Sequence, residues 1–185
     1  MKAAYYTELG GSEVLKLGEM ETLEPGERDV RVKIAVSGVN PSDWKARERG
    51  RAGVLPFPKI IPQSDGSGIV DAIGRGVSHV REGDRVWVLN GQWQRPFGTA
   101  AEYTVLPEKY VIPLLDTTGF EDGACFGIPF LTAHRAVFFD GDVTGQTVLV
   151  QGGTGTVGHY AIQIAKRGGA RVIATVSEPK KATIA

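Results

Sequence analysis

The chain has 185 residues, with 21 basic and 21 acidic side chains and a hydrophobic fraction of 42%. That balance supplies no field to gather nucleic acid or an anionic membrane surface, so neither is an expected partner. The single cysteine, Cys125, excludes an internal disulfide, and the start Met1-Lys2-Ala3-Ala4-Tyr5-Tyr6 has no apolar signal core. No stretch approaches the roughly 18 apolar residues of a membrane span, and a cytoplasmic protein is expected.

Short strands broken by turns come first. Val30, Val32, Ile34 and Val36 alternate with polar or small neighbours, and residues 68–73 and 84–89 read as two further strands. Pro25-Gly26, Gly74-Arg75-Gly76, Glu82-Gly83-Asp84 and Asn90-Gly91 supply the turns, while Pro56, Pro58 and Pro62 mark an irregular loop. Residues 1–123 are therefore expected to form an all-β barrel or sandwich. From Asp122 the pattern changes. Apolar residues at helical spacing over 127–138, with Pro129 near the first turn, predict a bridging helix. Asp140-Gly141-Asp142 and Gly145-Gln146 then turn the chain into a strand at Thr147.

That strand, Thr147-Val148-Leu149-Val150, runs into Gly153-Thr154-Gly155-Thr156-Val157-Gly158 and on into a helical pattern through Ala161, Ile164 and Ala165. The spacing G-x-G-x-x-G between a strand and a helix predicts a dinucleotide pyrophosphate site. The chain must turn sharply, bring bare backbone to the phosphates and pack helix on strand. Amide N–H groups at the helix start, aided by the helix dipole, then face the anion. A glycine-rich turn with no ligand would require neither flank. A second strand is expected over 171–176, and a dinucleotide fold needs two βαβαβ halves, so the unit is expected to be incomplete at 185 residues.

An NAD enzyme places an acid at the end of the second strand to accept from the ribose hydroxyls. That place holds Ser177, with Lys180 and Lys181 following as cations for a 2′-phosphate. Glu178 dissents, because a register change of one residue would put a carboxylate at the ribose. The charge pattern favours NADPH over NADH. Pro179 also lets the two lysines be read as the polar start of a helix.

The order Gly38-Val39-Asn40-Pro41-Ser42-Asp43, Pro62-Gln63-Ser64-Asp65-Gly66-Ser67-Gly68-Ile69-Val70, Gly83-Asp84-Arg85-Val86, Gly98-Thr99-Ala100-Ala101-Glu102-Tyr103 and Gly127-Ile128-Pro129-Phe130-Leu131-Thr132-Ala133 resembles the zinc-independent quinone oxidoreductase (zeta-crystallin-like) branch of the medium-chain dehydrogenases/reductases. The resemblance implies mixed α and β structure. A GroES-like catalytic β-barrel over 1–123 would precede the first part of a Rossmann domain over 124–185, and a homo-oligomer is among the arrangements it allows. It places Asn40 where the barrel loop reaches the acceptor, Thr132 at the nicotinamide carboxamide and Lys181 at the 2′-phosphate. Each has a plainer reading: an Asx-turn before Pro41, a hydroxyl bonded to the preceding helical turn, and the polar start of a helix after Pro179. Asp43 reads best as a helix cap for Trp44 and Lys45. Many family members carry a tyrosine where this chain has Lys45. The basic run Lys45, Arg47, Arg49 and Arg51 reads as solvated loop charge.

Zinc-dependent relatives carry a cysteine at Asn40, a histidine at Ser64 and a four-cysteine lobe. With Cys125, His79, His134 and His159 scattered, no metal site is expected. Without a Lewis acid, a quinone is the easier acceptor, because its reduced oxygen is phenolic, near the ~10 of tyrosine, and needs only hydrogen-bond donors. A conjugated enone or enoyl thioester comes next. The expected activity is hydride transfer from NADPH to such an acceptor, with a catalytically silent truncated paralogue acting as a binding module as the alternative. Trp87, Trp93, Phe97 and Tyr103 are candidates for an apolar pocket, although aromatics in barrels more often fill the core.

Overall fold

The computed structural model describes residues 1–50 and 52–183. Arg51, the last member of the basic run, and the terminal Ile184 and Ala185 lie outside the described residues. The chain divides into two compact units, Met1–Ile128 and Pro129–Ala185.

In the first unit β1 (Lys2–Tyr5) pairs antiparallel with β2 (Lys16–Glu19). The main sheet is five-stranded and antiparallel. Its members in chain order are β3 (Asp29–Gly38), β4 (Asp65–Ile73), β5 (Arg85–Val88), β6 (Tyr103–Pro107) and β7 (Val111–Pro113), and in space they run β6-β3-β4-β5-β7. Alternation does what it predicts on β3. Val30 and Val32 are fully buried, and they pack with Val70, Val80, Val86, Val88, Leu106 and Val111 into the core. Each such side chain contributes about 1.5–3 kcal/mol relative to exposure. Register shifts between Arg31 and Val32 and between Ile34 and Val36 let the sheet curl against β4. Isolated bridges Ala3↔Ala101 and Tyr6↔Ile60 tie the β1–β2 pair to later segments of the unit.

This unit is not all-β. Helix α1 (Pro41–Arg49) opens with proline in its first turn and closes at Gly50, whose φ of 63° supplies the left-handed stop. It buries Asp43 and none of its other side chains, so no apolar stripe announces it. A short helix, α2 (Phe120–Gly123), packs near β4.

The expected bridging helix over 127–138 is broken in two: a wide π-type turn, Phe126–Phe130, then α3 (Leu131–Val137). Pro129 lies inside the wide turn. It has no N–H to give, and its ring crowds the carbonyl of the preceding turn, so regular helix starts only after it. In the second unit β8 (Thr147–Val150) and β9 (Arg171–Ala174) pair in parallel, joined by α4 (Thr156–Arg167). Ala133, Val150, Ala161 and Ile162 form its buried cluster, and Phe130 meets Tyr160 edge to face at 5.5 Å. The second strand stops at Ala174 rather than residue 176, because the Thr175 carbonyl accepts from Gly153 N–H at 2.9 Å and thus serves the glycine loop.

Candidate active site

The extended residue Asn40 (φ −118°, ψ 156°) ends the loop after β3 and caps α1. Its backbone N–H donates to Asp43 Oδ2 at 2.7 Å, and the Asp43 N–H donates to the Asn40 carbonyl at 3.0 Å. The helix thus begins at Pro41 rather than at Trp44, with Asn40 as its N-cap and Asp43 in its first turn reaching back to the cap's N–H. The Asn40 side chain does something sequence reasoning did not expect. Its Nδ2 donates to Asp65 Oδ2 at 2.7 Å, and the residue is 7% exposed. The amide expected to meet an acceptor is engaged by a buried carboxylate.

Asp65, at the start of β4, is completely buried. Its Oδ2 also accepts from the N–H of Ile128 at 2.7 Å, and its carbonyl accepts from Thr99 Oγ1 at 2.7 Å. Oδ1 has no partner and faces Gly127, where a Cβ would stand 2.0 Å away. Burial pushes the Asp65 carboxyl up to about 6, against the lowering effect of the Ile128 and Asn40 donors. Asp43 is also raised to about 6: burial dominates, the Asn40 N–H and Ser42 hydroxyl oppose it, and the charge of Asp65 adds to it.

Beside this network lies a cavity of about 450 Å³, lined by residues that include Tyr6, Ser42, Asp43, Ser64, Trp93 and Ile128. Its wall carries a non-glycine residue in the left-handed region, Asn90 at φ 55°, and Gln63, the chain neighbour of the wall residue Ser64, is another at φ 74°. Such conformations cost about 1 kcal/mol each and persist where surroundings enforce them. Here the Gln63 carbonyl accepts from Thr99 N–H at 3.0 Å and the Ser64 carbonyl from Gly91 N–H at 2.8 Å. Of the four aromatic candidates, Trp93 lines the cavity. Trp87 packs edge-on against Phe126 at 5.9 Å, Tyr103 lies under Arg31, and Phe97 bridges to Ile61. Lys45 stacks on Trp44, and Arg47 Nε donates to the Gly10 carbonyl. His79 is held by Glu108 and the Val111 carbonyl, and His134 lies between the rings of Phe130 and Phe138. Among the described residues, no group of three His, Cys, Asp or Glu side chains is placed to hold a metal ion.

In the second unit the glycine loop uses several of its own amides. Gly152 N–H donates to Thr175 Oγ1 at 3.1 Å, Gly153 N–H to the Thr175 carbonyl at 2.9 Å and Gly155 N–H to the Gly152 carbonyl at 3.0 Å. The intrahelical ladder of α4 begins with His159 N–H to the Gly155 carbonyl at 2.8 Å. The N–H groups of Thr156, Val157 and Gly158 precede it, so the helix itself gives them no acceptor, and they can meet an anion. A Cβ on Gly158 would stand 2.3 Å from the Gly152 carbonyl oxygen, which is why glycine is required there. Thr154 is half-buried within the loop, and Thr132 is exposed on the first turn of α3. Ser177 and Lys181 do come together, with Lys181 Nζ donating to Ser177 Oγ at 3.1 Å. Glu178 joins them, pairing with Lys180 at 2.8 Å and Lys181 at 3.3 Å. Sequence reasoning missed Asp65 and its seat on Gly127. The signal available was an acid at the head of an apolar strand.

A curled antiparallel sheet followed in the chain by a βαβ unit with a glycine loop is the architecture of a medium-chain dehydrogenase/reductase. The alcohol dehydrogenase GroES-like domain family matches residues 26–116. Rat quinone oxidoreductase is 36% identical over 179 residues, covering 95% of this chain and 52% of that protein. Among solved structures, an NAD-dependent alcohol dehydrogenase superposes with a TM-score of 0.91 at 34% identity, covering 100% of this chain and 60% of its own. Escherichia coli quinone oxidoreductase complexed with NADPH gives 0.82 at 26%, covering 99% and 55%. The chain is thus similar to the quinone oxidoreductases of that superfamily along nearly all of its own length, and it spans about half the length of the curated relatives it matches.

Proposed function

We propose that this chain carries the catalytic barrel and the first nucleotide-binding part of an NADPH-dependent reductase of quinones or similar conjugated carbonyls, working without zinc. The barrel part is taken as 1–123 and the nucleotide part as 124–185. The observation that carries the reading is the cavity beside Asp43 and Ser64, about 450 Å³ and faced by Trp93 and Ile128. Its size and its mix of apolar wall and polar end suit a planar ring bearing a carbonyl oxygen.

The bound dinucleotide supplies the hydride. The N–H groups of Thr156, Val157 and Gly158 hold its pyrophosphate within the loop of Gly153, Thr154 and Gly155. Ser177 and Lys181 hold the 2′-phosphate, and Thr132 meets the carboxamide. For the phosphate to enter, Lys180 and Lys181 must exchange Glu178 for it. Asn40, whose amide is bonded to Asp65, acts in this reading by holding the polar end of the cavity in place. The donors there, the Asp43 carboxylate and Ser64 with the Asn40 amide already donating to Asp65, include one acid but no thiolate or imidazole, short of the about three protein ligands a catalytic zinc takes.

The test is quinone-dependent oxidation of NADPH and of NADH by the whole protein, followed by nicotinamide absorbance, with and without a chelator. Faster turnover with NADPH and no effect of the chelator is expected. No turnover with either dinucleotide, preference for NADH, or loss of activity on chelation would sink the corresponding part of the proposal.

A further inference from the structure

We propose that Asp43 is the proton donor of the reduction, delivering its carboxyl proton to the acceptor oxygen as hydride enters the conjugated system. The inference rests on the reading of the cavity as the acceptor pocket. Asp43 is 8% exposed and lines that cavity, whereas the Asn40 amide already donates to Asp65. Asp43 therefore faces the ligand space from a rigid place, the first turn of α1, with one oxygen fixed by the Asn40 N–H at 2.7 Å.

The surroundings extend the protonated form of the acid up to about pH 6, where ordinary aspartates are ionised. Burial and the charge of Asp65 raise Asp43 to about 6, while the Asn40 N–H and the Ser42 hydroxyl lower it. Tyr6, itself raised by burial, faces the same cavity, and Arg47 acts on Tyr6 from the next turn of α1. An anion developing beside Asp43 raises its proton affinity further, so the acid is charged with a proton when it is needed.

The step balances. Two electrons and a hydrogen nucleus pass from the reduced nicotinamide to the acceptor, a C–H bond of the cofactor breaking as the new bond forms. The carbonyl electron pair settles on oxygen as a phenolate or enolate. The Asp43 O–H breaks, the product O–H forms, and the resulting carboxylate regains a proton from water at the open cavity.

The test needs no dinucleotide. Pentafluorophenolate, ionised at neutral pH and a stand-in for the phenolate product, is titrated into the protein by calorimetry in two buffers of different ionisation enthalpy, with tryptophan fluorescence reporting occupancy beside Trp93. Wild type is expected to take up about one proton per ligand bound at a pH just above 7. The variant Asp43→Asn is expected to take up none and Asp65→Asn to keep the uptake. In turnover, Asp43→Asn is expected to lose about 10²-fold in kcat and the fall in rate as pH rises through about 6. Binding by wild type without proton uptake overturns the assignment and leaves the pocket standing, as does undiminished uptake by Asp43→Asn. Absence of binding overturns the pocket and the assignment together.

Discussion

Replacing Gly127 by alanine tests the buried centre of the barrel. A Cβ there would stand 2.0 Å from Oδ1, 2.3 Å from Cγ and 2.9 Å from Oδ2 of Asp65. The carboxylate cannot step back freely. It is fully buried and bonded at 2.7 Å to both Asn40 and Ile128. Relief requires either displacing the turn at Gly127, at about 1–3 kcal/mol for overpacking, or breaking the two hydrogen bonds, at about 1–3 kcal/mol for a buried group left unmatched. Either route predicts a loss of about 1–3 kcal/mol, a sizeable share of the roughly 5–15 kcal/mol of a whole domain. The measurement is urea unfolding followed by tryptophan fluorescence and circular dichroism. Asp65→Ala supplies the control. The Asp65 carboxyl is raised from 3.8 to about 6, so removing it recovers about 3 kcal/mol of ionisation cost at neutral pH against the donors it orphans. In the double variant Gly127→Ala should then cost little. A loss below about 1 kcal/mol for Gly127→Ala alone, or strictly additive effects, would refute the reasoning.

Three further outcomes are expected. Asp43 and Asp65 have folded-state values near 6, above 3.8, so the folded chain binds more protons than the unfolded one between about pH 4 and 6, and their contribution is full below that window and lost as pH rises through it. Urea midpoints across that range should therefore differ between wild type and Asp65→Asn, wild type losing more on the way up; parallel profiles would contradict the shift. Gly158→Ala puts a methyl carbon 2.3 Å from the Gly152 carbonyl oxygen and should weaken 2′,5′-ADP binding at least about tenfold by calorimetry, an equal affinity counting against the loop as the phosphate site. Glu178→Gln frees Lys180 and Lys181 from their carboxylate and should raise the preference for 2′,5′-ADP over 5′-ADP several-fold; an unchanged ratio would separate those lysines from cofactor choice.

The legible parts of the molecule were those with local causes. The period-two pattern of Val30 and Val32 placed β3, and Gly153, Gly155 and Gly158 placed the loop between β8 and α4. Helix α1 was legible in its first turn alone, because its residues from Pro41 to Arg49 bury just Asp43 and leave no apolar stripe. The split of the bridging helix comes from Pro129, which breaks the backbone ladder while leaving the apolar spacing over 127–138 helical. The role of Asn40 was out of reach of pattern. Its partner Asp65 is 25 residues away, and Asp65 in turn reaches Ile128, 63 residues further on. Bonds of that span are set by how the sheet curls, and the sequence around either end records no trace of them.

Asp65 stitches together two sides of the cavity, since it grips Asn40 at the root of α1 and Ile128, while Asp43 on α1 and Ile128 itself face the ligand space. Such a wall does not stretch by degrees. A substituent slightly too broad for it must sever a buried bond to gain room, and one that fits severs none. In the proposed reductase, selection among acceptors by breadth should accordingly be steep, with turnover holding level along a series of enlarging rings and then dropping sharply at one added group.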